Sequence, residues 1–488
     1  MHIMFVSPEV WPFARVGGLA EVSHDLPLAL GARGHTVDIV TIKTRLTPDL
    51  NDKLELLDIT LEVPVSWRNL RVEVYRLSLS EGVTVYLTGH DSMFDREGLY
   101  GNAFGDYEDN AERFILFSRA ALELALALKR KPDVVHANDW TTGLIPLYLK
   151  SLYRDQKLFD ACGSLMSIHN LGNQGNFWHY DMPLTGLGWE YFTPEAMEFY
   201  GKINFLKAGL VFADVISTVS PAYAKEILTP EMGFGLEGVL QSRADRLMAV
   251  INGVDYNVWN PETDPHIAVR YKADNLEAKA ECKQDLRRAL NLPAGANRPM
   301  LGFIGRLLDR RGMDILAPAL EQIMDMGVDV VLMGFGSDHY HTYLEDLRRK
   351  RPEQMGLVIG YEMDLAHKIT AGADMLIMPS RYEPCGLHQL HGLRYGTVPV
   401  VRATGGLEDT VLDHTDERPG VGFKFKEHEI GAMLGAVRRA LEAYEDTGQW
   451  RAIMQRAMAL NFSWERAAAQ YEEIYERARR LRLSRNGV

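Results

Sequence analysis

Residues 378–393 read MPSRYEPCGLHQLHGL and follow a short apolar run, 374–378, that predicts a buried strand. The chain then turns through Glu383-Pro384-Cys385-Gly386 and enters a predicted helix near Leu387. Open α/β sheets bind ligands where their strands end, and a helix N-terminus at that place favours negative charge. Taken alone, Glu383 is equally well explained as a solvated turn carboxylate. The stretch therefore predicts an α/β fold with a ligand-binding edge, and the chemistry has to come from other motifs.

The composition is that of an ordinary globular protein. At 488 residues, with 46% hydrophobic and 24% charged residues, two or three domains are expected. The net charge of −13 argues against a binder of nucleic acid or anionic membranes, because both require a basic surface. Cys162, Cys282 and Cys385 lack metal-ligand spacing and are expected to be buried or free thiols. No secretory signal and no run of about 20 apolar residues is visible, so we expect a cytoplasmic protein that spans no membrane.

The N-terminal part has the order strand, glycine loop, helix, strand. A predicted strand over 2–6 is followed by Arg15-Val16-Gly17-Gly18, a helical pattern over 19–30 and a second strand over 36–41. The two glycines do not form the G-x-G-x-x-G pattern of dinucleotide enzymes, but they permit a close backbone approach before a helix N-terminus. A plain tight turn is the more common meaning of such a pair. Arg15 beside it favours an anionic ligand.

Polar residues follow two further predicted strands. Asn138-Asp139-Trp140 comes after the strand 133–136, and His169-Asn170 comes after the strand 165–168. A helix cap or a hydrogen-bonded structural histidine would explain either motif alone. Aromatic residues are frequent between 180 and 200, where packing is the usual explanation and a stacking surface for sugar rings is the functional one.

A second α/β unit begins with a predicted strand over 300–304. The segment 305–312, GRLLDRRG, follows this strand directly. Its arginines Arg306 and Arg311 suit a diphosphate, which becomes more anionic as its bond to a sugar breaks. A solvated basic turn is the alternative.

Two more strand ends of this unit carry patterns typical of ligand binding. Tyr361 directly follows the strand 356–360 and offers an aromatic face. Thr404-Gly405-Gly406-Leu407 follows the strand 398–401 as a second glycine loop before a helix.

Five motifs, in order along the chain, resemble those of bacterial glycogen and starch synthases. They are RVGGL (15–19), SIHNLGNQG (167–175), GRLLDRRG (305–312), MPSRYEPCGL (378–387) and YGTVPVVRATGGLEDTV (395–411). These synthases are retaining glucosyltransferases of the GT-B fold, and the resemblance extends from Met1 to about Arg477. It implies two Rossmann-like, doubly wound α/β domains that face a deep interdomain cleft, with a C-terminal helix that crosses back to the N-terminal domain. It also implies ADP-glucose or UDP-glucose as donor, an α-1,4-glucan as acceptor, and no metal or cofactor.

The resemblance assigns domains and residue roles. The N-terminal domain would span 1–262, followed by a linker region at 263–297, the nucleotide-sugar-binding domain at 298–460 and the returning helix at 461–482. Arg306 and Arg311 would stabilise the departing diphosphate, and Glu383 the positive charge on the sugar ring. His169 and Asp139 would position the glucose. Further donor-binding residues would be Arg15, Gly17, Gly18, Asn252, Tyr361, Cys385, Gly386, Leu387, Thr404, Gly405, Gly406 and Leu407.

The sequence departs from the family pattern at several positions. Arg15 and Arg311 stand where lysines are usual, and Glu21 stands where aspartate is usual, so the charges are kept. Asn138 and Thr141 replace the flanking residues of the usual H-D-W-H.

One further departure from a related pattern predicts the reaction mechanism, and the sequence also leaves three alternative functions open. His391 occupies the second glutamate position of the E-x7-E pattern of related retaining enzymes, so we expect a front-face displacement rather than a covalent intermediate. One alternative is another GT-B enzyme, such as a sucrose- or trehalose-type synthase or a phosphorylase. Another is a weakly active paralogue that binds glucan or nucleotide-sugar as a regulatory module. A dinucleotide oxidoreductase is the third, and the missing G-x-G-x-x-G argues against it.

Overall fold

The computed structural model describes residues 1–415 and 417–485. The chain forms two compact units, one made of residues 1–253 with the C-terminal helix and one made of residues 254–463. The sequence placed the end of the first domain at 262 and a linker at 263–297. In the structure residues 254–297 are part of the second unit, because side chains such as Cys282 and Leu286 are buried in its core. The functional division between the two domains stays a prediction.

A mostly parallel sheet forms the centre of the first unit. The strands of this unit are β1 (His2–Val6), β2 (Thr36–Ile42), β3 (Glu55–Val65), β4 (Arg68–Ser80), β5 (Val83–Gly89), β6 (Gly101–Asn102), β7 (Gly105–Asp106), β8 (Val134–Asn138), β9 (Gly163–Ile168), β10 (Asn176–Trp178), β11 (Glu198–Phe199), β12 (Lys202–Asn204), β13 (Val215–Thr218) and β14 (Leu247–Ala249). The large sheet has the order β14-β13-β9-β8-β1-β2-β5-β4-β3, with β3 and β4 antiparallel at its end.

Helices pack against this sheet with their apolar sides. The strands between them are therefore rich in apolar residues. The helices are α1 (Leu19–Ala32), α2 (Pro48–Asn51), α3 (Asp91–Phe94), α4 (Asn110–Leu128), α5 (Ile145–Lys150), α6 (Phe205–Phe212), α7 (Pro221–Glu226) and α8 (Glu237–Ser242). Strands β8 and β9 are buried along their whole length, as in parallel sheets that are covered on both faces. His136 is a buried polar residue in the middle of β8. Its ring is satisfied by Ser167 Oγ at 2.6 Å and Tyr475 Oη at 3.0 Å.

The second unit contains an all-parallel sheet. Its strands are β15 (Met300–Ile304), β16 (Asp329–Gly334), β17 (Met355–Ile359), β18 (Met375–Met378), β19 (Val398–Arg402) and β20 (Phe423–Phe425), in the order β17-β16-β15-β18-β19-β20. Its helices are α9 (Lys279–Ala289), α10 (Met313–Asp325), α11 (Asp338–Lys350), α12 (Met363–Gly372), α13 (His388–Arg394), α14 (Gly405–Thr410), α15 (Ile430–Glu445) and α16 (Thr447–Met458).

The last helix, α17 (Trp464–Arg485), belongs to the first unit, as the sequence predicted. Tyr471, Tyr475 and Ala478 are buried in the core of that unit. Gly163 at the start of β9 permits their approach, because a Cβ there would lie 2.7 Å from the backbone carbon of Ala478. Among the described residues, no helix combines the length and apolar character that crossing a membrane requires.

The order of the parallel strands reverses once in each sheet, and these points locate the ligand-binding edges. In the first unit the reversal lies at β1, between β2 and β8, and in the second unit at β15, between β16 and β18. Ligands of open α/β sheets bind outside the carboxyl ends of the strands at such a switch point. The loops that follow β1, β8, β15 and β18 are therefore the first places to look for a site.

Candidate active site

Asp139, directly after β8, has a backbone conformation that side chains rarely adopt. Its φ is 55° and its ψ −176°. One carboxylate oxygen, Oδ1, accepts the backbone N–H groups of His169 at 2.7 Å and of Asn170 at 3.3 Å. Burial raises the pKa of Asp139 to about 7, although these two amides oppose the rise. A strained backbone and a shifted pKa at a switch point are typical of functional residues, so both support the predicted role of Asp139, which stays a prediction.

Asp139 also brings the end of β9 to the same place. Because it holds the main chain of His169, the predicted pair Asp139 and His169 lies together at one edge of the sheet. The His169 ring contacts Asn138 through Nε2, which lies 2.9 Å from Asn138 Oδ1. Burial lowers the pKa of His169 to about 4, so its imidazole is neutral at physiological pH.

The glycine loop after β1 is held by a buried carboxylate that the sequence analysis did not single out. Glu9 Oε2 accepts the backbone N–H groups of Val16 and Gly17, each at 2.8 Å. The hydroxyl of Tyr100 donates to the other carboxylate oxygen at 2.8 Å. The amide of Gly17 is therefore already engaged, and binding a phosphate through it would require exchange of this partner. The place of Glu9 three residues after the end of β1 was the available sequence signal.

Arg15 and Glu21 form an ion pair in this loop. Arg15 Nη2 lies 2.7 Å from Glu21 Oε1, and about a third of each side chain is exposed. Burial raises the pKa of Glu21, and the charge of Arg15 opposes that rise. The two departures from the family pattern are thus in contact with each other.

Asn252, near the end of the first unit, presents an acceptor without a protein partner. The residue is buried, and its Oδ1 finds no hydrogen-bond partner among the residues that the structure describes. Buried polar atoms are usually hydrogen-bonded, so an orphaned acceptor calls for a ligand group or water. This favours the predicted binding role of Asn252.

In the second unit, Arg311 and Glu383 form an ion pair beside the switch point. Glu383 is only 4% exposed and also accepts a hydrogen bond from Ser380 Oγ at 3.2 Å. Burial, with smaller effects of Arg310 and Arg306, lowers the pKa of Arg311 to about 10, so the guanidinium stays charged at neutral pH. The structure thus brings together the predicted carboxylate and one predicted diphosphate-binding cation.

Arg306 lies in the same loop as Arg311, and an aromatic ring supports it. Its guanidinium carbon is 5.0 Å from the centre of the Phe335 ring, which follows β16. Phe335 is 43% exposed. The face of an aromatic ring attracts a cation, so Phe335 helps to position the Arg306 guanidinium.

The glycine loop before α14 packs against the turn that carries Glu383. The N–H of Gly406 donates to the carbonyl oxygens of Glu383 at 3.1 Å and Pro384 at 3.0 Å. A Cβ on Gly405 would lie 2.0 Å from the Glu383 carbonyl oxygen, and one on Gly406 would lie 2.0 Å from that of Cys385. The glycines therefore permit a close backbone approach that fixes the turn.

The same loop has fewer open amides than the sequence suggested. The N–H of Leu407 donates to Thr404 O at 3.0 Å, and the N–H of Gly406 is engaged by the turn. Binding a diphosphate through these two amides would require exchange of partners, so their predicted role stays a prediction.

The remaining predicted donor-binding residues lie around the same turn. Cys385 and Thr404 are buried, Leu387 is the N-cap of α13, and Gly386 has a φ of 73° that suits glycine. Gln389 of α13 donates through Nε2 to the carbonyl oxygen of Cys385 at 2.9 Å, which ties helix to turn. Tyr361 lies two residues after the end of β17, half-buried against the core of the second unit.

Comparisons with known proteins agree with this geometry. Residues 2–242 match the starch synthase catalytic domain family, and residues 298–443 match the family of glycosyl transferases group 1. A glycogen synthase of Anaeromyxobacter sp. (strain Fw109-5) is 46% identical, over 97% of this chain and 99% of that protein. One from Koribacter versatilis (strain Ellin345) is 44% identical, over 99% of both. The chain belongs to the glycogen synthase family.

Solved structures support the same assignment. The catalytic domain of starch synthase IV from Arabidopsis thaliana, bound to ADP and acarbose, matches with a TM-score of 0.90 and 32% identity. The match covers 98% of this chain and 99% of that one. Sucrose-phosphate synthase from Thermosynechococcus elongatus, with a TM-score of 0.60 and 19% identity over 97% of this chain and 98% of that one, shares the fold alone. This glycogen synthase family member is a glucosyltransferase with the GT-B fold, which confirms the predicted class and removes the oxidoreductase alternative.

The aromatic residues predicted as packing or stacking groups divide into two sets. Tyr191, Phe192 and Phe199 are partly buried, whereas Tyr180, Trp189 and Tyr200 each expose more than half of their surface. Trp178 and Tyr180 contact each other edge to face, with ring centroids 4.5 Å apart. The stacking hypothesis for this glycogen synthase family member therefore concerns the exposed set.

Proposed function

We propose that this protein transfers glucose from ADP-glucose to the 4-hydroxyl at the non-reducing end of an α-1,4-glucan, with retention of configuration. The observation that carries the proposal is the Arg311–Glu383 ion pair at the switch point of the second unit, with Arg306 in the same loop. The adenine base is supported by the starch synthase IV relative, whose structure holds ADP. The face of Tyr361 is the proposed contact of the base.

The charges of the second unit suit the departing group. As the bond between glucose and the diphosphate breaks, negative charge grows on the diphosphate oxygens, and fixed cations stabilise it in a site from which water is excluded. Arg306 and Arg311 are these cations. Arg311 is paired with Glu383, so the carboxylate holds this cation in place for a phosphate. Glu383 then stabilises the positive charge that develops on the sugar ring.

The groups of the first unit suit an uncharged sugar. His169 is neutral, Asp139 has a pKa of about 7, and Asn252 offers an unpaired buried oxygen. Hydroxyl groups both donate and accept hydrogen bonds, so such neutral partners can orient glucose. Arg15, Gly17 and Gly18 on this edge, and Thr404, Gly405, Gly406 and Leu407 on the other, complete the proposed contacts to the donor.

The surroundings of His391 support a front-face displacement over a covalent intermediate. The position eight residues after Glu383 would need a carboxylate to act as a second catalytic group. His391 instead stacks on Trp259, with ring centroids 3.9 Å apart and planes 8° from parallel. A buried, stacked imidazole is held in the core of its unit, so we assign the deprotonation of the acceptor to the leaving phosphate.

The test is nucleotide release from ADP-glucose and, separately, from UDP-glucose, each with and without glycogen. We expect release from ADP-glucose that depends on glycogen, together with labelled glucose in the polymer. Release from UDP-glucose alone would keep the transferase and overturn the base. Binding of either donor without turnover would support the regulatory paralogue, and Arg15→Lys with Arg311→Lys would then be expected to raise the rate.

A further inference from the structure

Asn138 is the last residue of β8, and its carboxamide has one possible orientation. The residue is fully buried. Its Nδ2 donates to the carbonyl oxygens of Val6 at 3.0 Å and His136 at 3.3 Å. Because a carbonyl oxygen can only accept, exchanging the nitrogen and oxygen of the amide would place its single oxygen against these two acceptors. The Oδ1 atom is therefore the one that faces His169.

This orientation fixes the tautomer of the histidine. His169 Nε2 lies 2.9 Å from Asn138 Oδ1, which can only accept a hydrogen bond. The Nε2 atom must carry the hydrogen, and in a neutral imidazole the Nδ1 atom then carries the lone pair. Burial lowers the pKa of His169 to about 4, which keeps the ring neutral.

We propose that Asn138 is a positioning residue that holds His169 as the Nε2–H tautomer and so presents Nδ1 as an acceptor to a sugar hydroxyl. The consequence for activity rests on the role of His169 in the proposed function, whereas the tautomer itself does not. Asn138 and Asp139 act as neighbours: Asp139 holds the main chain of His169, and Asn138 holds its ring. A hydrogen bond that sets a tautomer can matter greatly, since a wrong histidine tautomer disables catalysis in an intact site.

The direct test is the tautomer of His169 in the unmodified protein. Long-range ¹H–¹⁵N correlation on ¹⁵N-histidine-labelled protein distinguishes a protonated from an unprotonated ring nitrogen. The signals of His169 are assigned by their loss in His169→Gln. We expect a neutral ring with the hydrogen on Nε2 at pH 7. A hydrogen on Nδ1, or a doubly protonated ring, overturns the proposal whatever the activity of any variant.

A pair of matched variants tests the consequence for the reaction. Asn138→Asp places a carboxylate against Nε2, which favours the imidazolium and removes the acceptor at Nδ1. Of the other titratable groups nearby, His136 interacts electrostatically with His169 and Asp139 holds its backbone N–H, and neither is changed. Asn204→Asp makes the same change at another fully buried asparagine, which likewise donates to two oxygens (Gln174 and Asn176) and accepts one N–H, that of Lys207.

We expect kcat of Asn138→Asp to fall by about 100-fold near pH 6 and to recover partly as the pH rises and the imidazolium loses its proton, with the donor KM changed by less than kcat. The pH profile of Asn204→Asp should run parallel to that of the unmodified protein. Parallel profiles for both variants would overturn the proposal. Full activity of His169→Gln would instead contradict the role of His169 in the proposed function, and the tautomer measurement would still decide the role of Asn138.

Discussion

The two glycine loops lie at equivalent places, each between a parallel strand and a helix, yet they are held in different ways. In the first unit a side chain, Glu9, holds the loop through two backbone amides, and nothing lies within 4 Å of a Cβ added to Gly17. In the second unit Gly405 and Gly406 press directly on the backbone of the turn that carries Glu383. The same residue type therefore leaves space in one unit and permits contact in the other.

The charges at the two edges differ in a corresponding way. The carboxylate of Asp139 is buried, no cation among the described residues pairs with it, and burial raises its pKa to about 7. The carboxylate of Glu383 is buried against Arg311, which carries a charge at neutral pH. The same topology, a switch point in a parallel sheet, thus occurs with two kinds of edge. The edge of the first unit is weakly charged and suits sugar hydroxyls, and that of the second unit is strongly charged and suits a diphosphate. The residues that follow each strand decide which of the two forms.

The largest expected effect comes from the same neutral substitution in each unit. Glu383→Gln should lower kcat by about 1,000-fold, because it removes a charge that stabilises the transition state. Asp139→Asn should lower kcat by about 10-fold at pH 7, because a carboxyl group with a pKa near 7 is already half neutral there. Initial rates with a glucose donor and glycogen measure both. Equal losses of kcat in the two variants would contradict the expectation that a charged carboxylate matters more in the second unit than in the first.

A Cβ added to each loop should separate their two modes of packing. Gly406→Ala should lower kcat by about 100-fold and lower the thermal midpoint, because its Cβ would displace the Cys385 backbone and with it Glu383. Gly17→Ala should leave the thermal midpoint unchanged, since its Cβ enters open space. Any loss of activity in Gly17→Ala then reports a ligand that approaches this backbone. A lowered midpoint in Gly17→Ala would contradict the comparison.

The sequence predicted the elements well where apolar runs are uninterrupted and strand ends carry polar motifs. Strands β1, β15 and β18 and the loops after them were located from such runs. The sequence did not predict that Glu9 holds the glycine loop. Its partners Val16, Gly17 and Tyr100 come within hydrogen-bonding distance only in the folded protein. Helix α16 was not predicted either, since Trp450 and Ile453 give it an apolar side only once α15 and the sheet lie against it.

The ion-pair and hydrogen-bond partners of the predicted residues could likewise not be predicted from the sequence. The resemblance named Arg311 and Glu383 separately, but their ion pair depends on how the turns after β15 and β18 approach each other. The amides of Gly17, Gly406 and Leu407 were predicted to be open to a phosphate, and the structure shows each with a protein partner. Periodicity and motifs report which residues end a strand, whereas hydrogen-bond partners are decided by neighbours distant in sequence.

The pKa of Asp139 predicts that stability depends on pH through the first unit. Its pKa is about 7 in the folded protein against an ordinary value of 3.8, so the folded state binds the extra proton between these pH values. Stability is therefore lost as the pH rises from about 4 to 7. Asp139→Asn removes this loss, and its urea midpoint should exceed that of the unmodified protein at pH 8 and approach it at pH 5. The gain is at most about 4 kcal/mol.

A higher midpoint with lower activity would identify Asp139 as a group kept for function at a cost in stability. We do not expect the matched substitution Glu383→Gln to raise the midpoint, because it leaves Arg311 with a weaker partner at a buried position. The difference in urea midpoint between Asp139→Asn and the unmodified protein could instead be the same at pH 5 and at pH 8. That result would show that the carboxyl group of Asp139 has an ordinary pKa.

The smallest expected effect concerns Arg15 and Glu21. The pair lies at 2.7 Å, but about a third of each side chain is exposed, and such pairs contribute at most about 1 kcal/mol. Arg15→Lys and Glu21→Asp should therefore each change the donor KM by less than about 5-fold, and a double-mutant cycle should give a coupling of about 1 kcal/mol or less. A loss of 100-fold in Arg15→Lys would mean that the planar guanidinium grips the diphosphate with two hydrogen bonds. Charge would then be shared by both edges, and the contrast between them would rest on packing alone.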